Sequence, residues 1–175
     1  MMLHLYLLRH AKSSLATPGQ RDFDRPLNER GQGAAQVMGQ YLSRCTPRPS
    51  HILCSSSRRT RETLAGILHH LFHDLTISLS RKLYDGDAQA LIGIIRQAPH
   101  CDLLIIGHNP AMEALATLLA RDGAPEPLEK LAEKYPTCAL ASLRFDLSTW
   151  QDLAEHSGYL ADFTVPQDLN GDKVA

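Results

Sequence analysis

A chain of 175 residues with 43% hydrophobic and 21% charged residues has the size and make-up of one globular domain with a substantial core. Its net charge of −1 and isoelectric point near 6.7 exclude bulk attraction to nucleic acid or to an anionic membrane, so any anion site must be local and built from a few convergent cations. No apolar run reaches transmembrane length, and the apolar start, Met1 to Leu8, is too short and lacks the basic leader of a signal peptide.

The first predicted strand, Leu3 to Leu8, ends abruptly in Arg9 and His10. A polar loop follows from Lys12 to Pro26, and Asn28 is the expected N-cap of a helix over Glu29 to Ser43 with Val37, Met38, Tyr41 and Leu42 on its apolar stripe. Gly31 and Gly33 near its start are poor helix formers, which points to close backbone approach there. A short second strand, His51 to Cys54, leads through Ser55-Ser56-Ser57 into a helix starting near Arg58, whose predicted apolar face is Leu64, Ile67, Leu68, Leu71 and Phe72.

A third strand is expected at Leu75 to Leu79, then a loop over Arg81 to Asp87 and a helix from Ala88 to Gln97. Leu103 to Gly107 is the most continuously apolar strand, which places it centrally beside the first. Asn109 as N-cap with Pro110 at the first helical position opens the next helix. A short helix near Leu128 to Lys134, a strand over Cys138 to Phe145 and an edge element within Trp150 to Thr164 complete the chain. Residues 1–165 are expected to form the single domain and 166–175 a frayed tail. Strands alternating with helices predict an α/β fold, a mostly parallel sheet covered on both faces.

Cys45, Cys54, Cys101 and Cys138 form no CxxC pair or finger spacing, so free thiols in a reducing cytoplasm are expected. His69 and His73 have the i, i+4 spacing of a zinc site, but no third ligand or HExxH glutamate accompanies them; a solvated helix face is expected and no metal is assigned.

Ligands of open α/β sheets bind beyond the carboxyl ends of the strands. Three such ends carry suggestive groups: Arg9-His10, then Ser55 to Arg59 entering a helix, then His108 entering another. Arginines bind phosphate oxygens by charge-assisted pairs, and helix N-termini add backbone donors. A neutral imidazole is also a nucleophile. His10 could therefore attack phosphorus, His108 when protonated would donate to the equatorial oxygens, and water would release the phosphoryl group. The arginines supply positive charge, so no metal or other cofactor is required.

The same residues carry a resemblance. Leu8-Arg9-His10-Ala11 is similar to the Arg-His-Gly signature of the histidine phosphatase superfamily. Ser55 to Thr63 resembles its second motif with Arg59 as the phosphate-binding arginine, Ile106 to Pro110 its second-histidine motif, and Arg25 to Gly31 the start of its first helix. The chain has no room for the inserted cap of acid phosphatases, and resembles the small SixA-type phosphohistidine phosphatases. The resemblance implies a phosphoglycerate mutase-like three-layer α/β/α sandwich. It implies His10 as nucleophile with Arg9, Arg59 and His108 completing the pocket, and phosphohistidine as substrate, for instance on a histidine phosphotransfer domain. Phosphoglycerate mutases carry a glutamate in a Leu-x-Glu context; here the matching stretch Leu83-Tyr84-Asp85 makes Asp85 the candidate proton donor, with Asp87 behind it. Arg25 either enters the pocket or pairs with Asp22 or Asp24. A phosphatase or mutase acting on small phosphate esters is the rival reading, with Pro125 to Tyr135 as a partial lid. A non-catalytic phosphate-binding module is the alternative of a different class.

Overall fold

Alternation of side chains along the strands divides the core into two layers of packing. The computed structural model describes residues 2–169. Strands β1 (Met2–Arg9), β2 (His51–Ser55), β3 (Thr76–Ser80), β4 (Leu103–Gly107), β5 (Ala120–Gly123), β6 (Leu140–Asp146) and β7 (Gly158–Thr164) form one sheet in the order β3-β2-β4-β1-β6-β7-β5. Four of its six pairings are parallel; β6 runs antiparallel to both β1 and β7. The apolar strand β4 lies between β1 and β2, as its composition required.

Leu3, Leu5, Leu7, Leu53, Leu103 and Ile105 face one side of the sheet, and Tyr6, Leu8, Ile52, Cys54, Leu104 and Ile106 the other. The first side is covered by α4 (Ala88–Ile95), α5 (Ala111–Leu119) and α6 (Pro125–Glu133), through Leu91, Ile95, Met112, Leu115 and Leu131. The second is covered by α1 (Glu29–Arg44) and α2 (Arg58–Leu68), through Ala35, Met38, Leu42, Leu64 and Ile67. The result is a three-layer α/β/α sandwich. Cys54 and Cys138 are buried thiols, and Cys45 and Cys101 are half-buried and unpaired. Among the described residues no helix is long and apolar enough to cross a membrane.

Several boundaries differ from expectation. Helix α2 stops at Leu68, so Phe72 leaves its apolar face and is 89% exposed. The same stop puts His69 at the C-cap and His73 beyond the helix, so they share no helix face. Asn109 does not cap α5: Pro110 takes the cap position, and the Asn109 amide instead donates to Glu113 Oε2 (2.8 Å) and to the Tyr135 carbonyl (3.2 Å). The loop expected over Arg81 to Asp87 contains a helical turn, α3 (Lys82–Asp85). The polar stretch Ala120–Gly123, which has no alternation, is the edge strand beyond β7, so the element within Trp150 to Thr164 is not at the edge. Helix α6 buries Pro127 and Leu131 and packs on β7, β5 and α5, which makes it part of the core layer and not a lid. The expected frayed tail begins instead as a short helix, α7 (Pro166–Leu169), against α1; residues 170–175 lie outside the described residues.

Gly31 and Gly33 separate cleanly. A Cβ on Gly31 would lie 2.1 Å from the Lys12 carbonyl oxygen, two residues beyond His10, whereas one on Gly33 would meet nothing within 4 Å. The Asn28 side chain accepts from Gly31 N–H (2.8 Å), and Asn28 N–H donates to the same Lys12 carbonyl (3.0 Å). Gly31→Ala is therefore expected to lower stability by about 1–3 kcal/mol through forced backbone displacement. Gly33→Ala should raise it by about 0.5–1 kcal/mol. Chemical denaturation of the two variants checks both signs.

Candidate active site

Strand β1 delivers Arg9 and His10 to the carboxyl edge of the sheet, and β4 delivers His108 beside them. The His10 N–H donates to the Gly107 carbonyl (3.0 Å), which ties the two strand ends together. Helix α2 brings Arg59. His10, Arg59 and His108 are 7%, 6% and 8% exposed, unusual burial for such groups and a mark of a built site.

The geometry fixes which nitrogen of His10 carries the proton. A backbone carbonyl only accepts, so the 2.7 Å contact between His10 Nδ1 and the Ala11 oxygen means that Nδ1–H donates. Arg59 Nε then donates to the remaining lone pair on His10 Nε2 (3.2 Å). Thr63 locks this segment, taking the Ala11 N–H (3.0 Å) on its hydroxyl while donating to the Arg59 carbonyl (2.7 Å). The His10 and His108 ring centroids lie 5.2 Å apart, with the rings tilted by 54°. His108 Nε2 pairs with the Ser55 hydroxyl at 2.8 Å, with Ser57 at 3.5 Å. Its Nδ1 is buried without a hydrogen-bond partner, as is Arg9 Nε. Arg9 is anchored by donation to the Tyr135 carbonyl (2.7 Å), and burial lowers its pKa.

Four of the residues expected at the site thus lie at one sheet edge: Arg9, His10, Arg59 and His108. Arg25 joins them through an intermediary. It donates to Ser14 O (3.0 Å), to the Ser13 hydroxyl (3.0 Å) and to Asp22 Oδ1 (2.9 Å). Asp22 in turn accepts from Arg59, so Arg25 both pairs with Asp22 and borders the pocket. Asp85 does not join them. Its carboxylate is exposed and accepts from Arg81 Nε (3.2 Å), one turn earlier. Asp87 caps α4 by accepting from Ala90 N–H (2.9 Å). Both border a cleft of about 330 Å³ that runs from His108 between α3 and α5.

Sequence reasoning missed two groups. Asp22 sits in a 3-10 turn (Asp22–Asp24) and takes hydrogen bonds from Arg59, Arg25 and the Tyr84 hydroxyl (2.8 Å). Tyr84 stands edge-on to His108 with centroids 5.2 Å apart, and Phe23 packs edge-on to Tyr84 at 4.9 Å. No spacing rule links residue 22 to residue 84. Only the presence of Asp22 three residues before Arg25 was available as a signal.

Burial pushes His10 down to about 4, with Arg59, Arg9 and Arg25 adding to the shift against the opposing Ala11 hydrogen bond. Burial likewise pushes His108 down to about 3, helped by His10 and Arg59 and opposed by Asp22. With these shifts both rings are neutral at pH 7. The donation from a protonated His108 considered in the sequence analysis would therefore need a proton gained on anion binding. For Asp22, burial raises the pKa, but hydrogen bonds from Arg25, Tyr84 and Arg59 outweigh it and hold the carboxyl well below the usual range.

The comparisons with known proteins agree with this architecture. The sequence profile of the histidine phosphatase superfamily (branch 1) matches residues 5–87. An uncharacterised protein of Mycobacterium tuberculosis is 34% identical over 164 residues, covering 91% of this chain and 100% of that protein. The crystal structure of a protein from Agrobacterium tumefaciens, provisionally assigned as the phosphohistidine phosphatase SixA, is 30% identical with a TM-score of 0.77. That match covers 94% of this chain and 98% of the other. A structure from Nakamurella multipartitia with the same provisional assignment has a TM-score of 0.79 at 27% identity, covering 95% and 97%.

Two histidines with depressed pKa values make stability pH-dependent. In the unfolded chain they bind protons near pH 6.5, in the folded chain only near 4 and 3. Their contribution is complete above pH 6.5 and is lost as pH falls from there toward 4, because the unfolded state takes up protons first. Denaturation between pH 7 and 4.5 should show this loss, and His10→Asn should flatten the slope. In the folded protein, 15N shifts of His10 should report the neutral Nδ1–H tautomer down to pH 5.

Proposed function

The chain belongs to the histidine phosphatase superfamily and is a phosphatase; within that family, we propose that it hydrolyses protein phosphohistidine through a phosphoryl group held on His10, without a metal ion. The observation that carries this reading is the tautomer of His10. With Nδ1–H given to the Ala11 carbonyl, the lone pair of Nε2 points at the Arg59 side of the pocket.

In the first step Nε2 attacks phosphorus and a P–N bond forms. The P–N bond to the substrate imidazole breaks, and that ring leaves neutral because it has taken a proton on its other nitrogen beforehand. Arg59, Arg9 and Arg25 surround the phosphoryl oxygens with positive charge, as phosphoryl transfer requires. Arg9 Nε, buried without a partner, is a donor available to one of those oxygens. His108 supplies a further donor. A dianion entering the pocket raises the proton affinity of both histidines, and His108 is the ring free to respond. In the second step water attacks phosphorus, the P–Nε2 bond breaks, the water proton passes to solvent or phosphate, and His10 returns to its starting tautomer.

The leaving group favours phosphohistidine over phosphate esters. An alkoxide needs a proton donor, whereas an imidazole departs without one. The carboxylate in the acid position, Asp85, is paired with Arg81 and exposed. Helix α6 is committed to the core layer on β7, β5 and α5, and a chain without an inserted cap suits a phosphoryl group carried on a protein such as a histidine phosphotransfer domain.

Incubation with a phosphorylated histidine phosphotransfer domain in the presence of a chelator should give turnover, and rapid non-acidic quenching with mass spectrometry should find phosphate on His10. His10→Ala should abolish both. Turnover of esters but not of phosphohistidine would replace this reading with metabolite chemistry, and phosphate binding without any turnover would leave a binding module. Asp85→Asn should leave phosphohistidine turnover nearly unchanged, whereas loss of a general acid would cost roughly 10²-fold or more.

A further inference from the structure

The Arg59 guanidinium has five N–H groups. Its Nε donates to His10 Nε2 (3.2 Å), one terminal nitrogen donates to the Asp22 backbone carbonyl (2.6 Å), and the other to Asp22 Oδ2 (2.9 Å). Asp22 therefore grips both terminal nitrogens, and the plane of the guanidinium has little freedom left. The other carboxylate oxygen of Asp22 accepts from Arg25 (2.9 Å), and the Tyr84 hydroxyl donates to Oδ2 (2.8 Å). Arg59 is buried while Asp22 is half-exposed, so a surface carboxylate reaches in to orient a buried cation. The Phe23 and Tyr84 rings brace the 3-10 turn that carries it, and Arg81 lies over Phe23 at 4.8 Å.

We propose that Asp22 is a positioning residue for the phosphoryl pocket: it holds the terminal nitrogens of Arg59 so that the Nε edge faces His10 Nε2, and holds Arg25 alongside. The inference rests on phosphoryl transfer at His10. After Asp22 has taken its two donors, each terminal nitrogen of Arg59 keeps one N–H, and the one beside Nε shares an edge with it. That edge becomes the two-point fork that a phosphoryl group would meet once the His10 Nε2 lone pair turns to phosphorus and releases the Arg59 Nε–H. A proton-donor role fits poorly, because all of the donors around Asp22 stabilise its carboxylate. A role as a resident competitor for the anion site fits poorly as well, because Asp22 takes only one N–H from each terminal nitrogen of Arg59 and leaves the other.

The experiment compares Asp22→Ala, Asp22→Asn and Tyr84→Phe with the unmodified protein. Three quantities are read: kcat/KM on a phosphohistidine domain and on an aryl phosphate, vanadate affinity by calorimetry, and the 15N titration of His10. Misplacing Arg59 should cost Asp22→Ala about 10²-fold in kcat/KM, by the same factor on both substrates. Vanadate should bind more weakly. Asp22→Asn, which keeps one acceptor, and Tyr84→Phe, which keeps the carboxylate, should lose less in the same direction. The His10 midpoint should rise in Asp22→Ala as Arg59 moves away, whereas simple loss of a negative charge would lower it. Tighter vanadate binding would make Asp22 a competitor and overturn the proposal. A loss confined to the aryl phosphate would make it a proton donor, and an unmoved or lowered His10 midpoint would show that Arg59 stays in place without it. If the unmodified protein turns over neither substrate, the functional reading fails on its own, and vanadate binding and the His10 titration still decide the role of Asp22.

Discussion

A neutral imidazole has one proton and two nitrogens, and the hydrogen bond from His10 Nδ1 to the Ala11 carbonyl decides which nitrogen is free. For that bond to form, the carbonyl of the following residue must turn back onto its neighbour's ring. The chain after β1 is held in that shape from several directions. Gly107 at the end of β4 takes the His10 N–H, Cys138 before β6 donates to the His10 carbonyl, and Thr63 of α2 takes the Ala11 N–H. Asn28 at the start of α1 takes hold of Lys12, and Gly31 lets the helix approach that carbonyl with no side chain between them. Strand and helix contacts across the molecule thus converge on three residues of backbone, and the orientation of one ring follows from them.

The same burial that fixes the ring also sets its charge. Three arginines stand around His10 in a chain whose net charge is only −1, and burial with those cations keeps both histidines neutral. Neutrality is what a nitrogen nucleophile requires, so positive charge is carried by guanidinium groups, which cannot lose their protons, and not by the rings. Arg9 Nε and His108 Nδ1 are buried without hydrogen-bond partners, and such groups are tolerated where an incoming anion can satisfy them.

The elements that carry Arg9, His10, Arg59 and His108 were legible because each sits where an apolar run ends. Leu3 to Leu8 and Leu103 to Gly107 read as buried strands from their composition, and the strand end is where an open α/β sheet exposes functional groups. Helix ends were harder to read. Leu71 and Phe72 continue the periodicity of α2, yet the helix stops at Leu68; Leu71 still packs into the core while Phe72 is left outside it. Asn109 has the side chain of an N-cap, but its amide nitrogen is tied to the Glu113 carboxylate and the Tyr135 carbonyl, and its Oδ1, the capping atom, is buried without a partner. Strand β5 has no alternation at all, and only its pairing with β7 makes it a strand.

The acid position shows what a motif leaves undecided, namely which way each side chain turns. Matching Leu83-Tyr84-Asp85 to a Leu-x-Glu pattern places the candidate acid in a loop after β3 and leaves the direction of each side chain open. The segment is a helical turn, and successive residues of such a turn point about 100° apart. In this turn Tyr84 points at His108 and Asp22, and the Asp85 carboxylate pairs with Arg81 four residues earlier. The carboxylate that does reach the arginines arrives from residue 22, in a loop with pairs of its own: Arg21 with Asp24, and Arg25 with Asp22. Those i, i+3 pairs account for only one oxygen of Asp22. The second oxygen goes to Arg59 and Tyr84, on segments 37 and 62 residues away, and a contact of that range is set by the packing of α2 and α3 over the sheet, which no local pattern encodes.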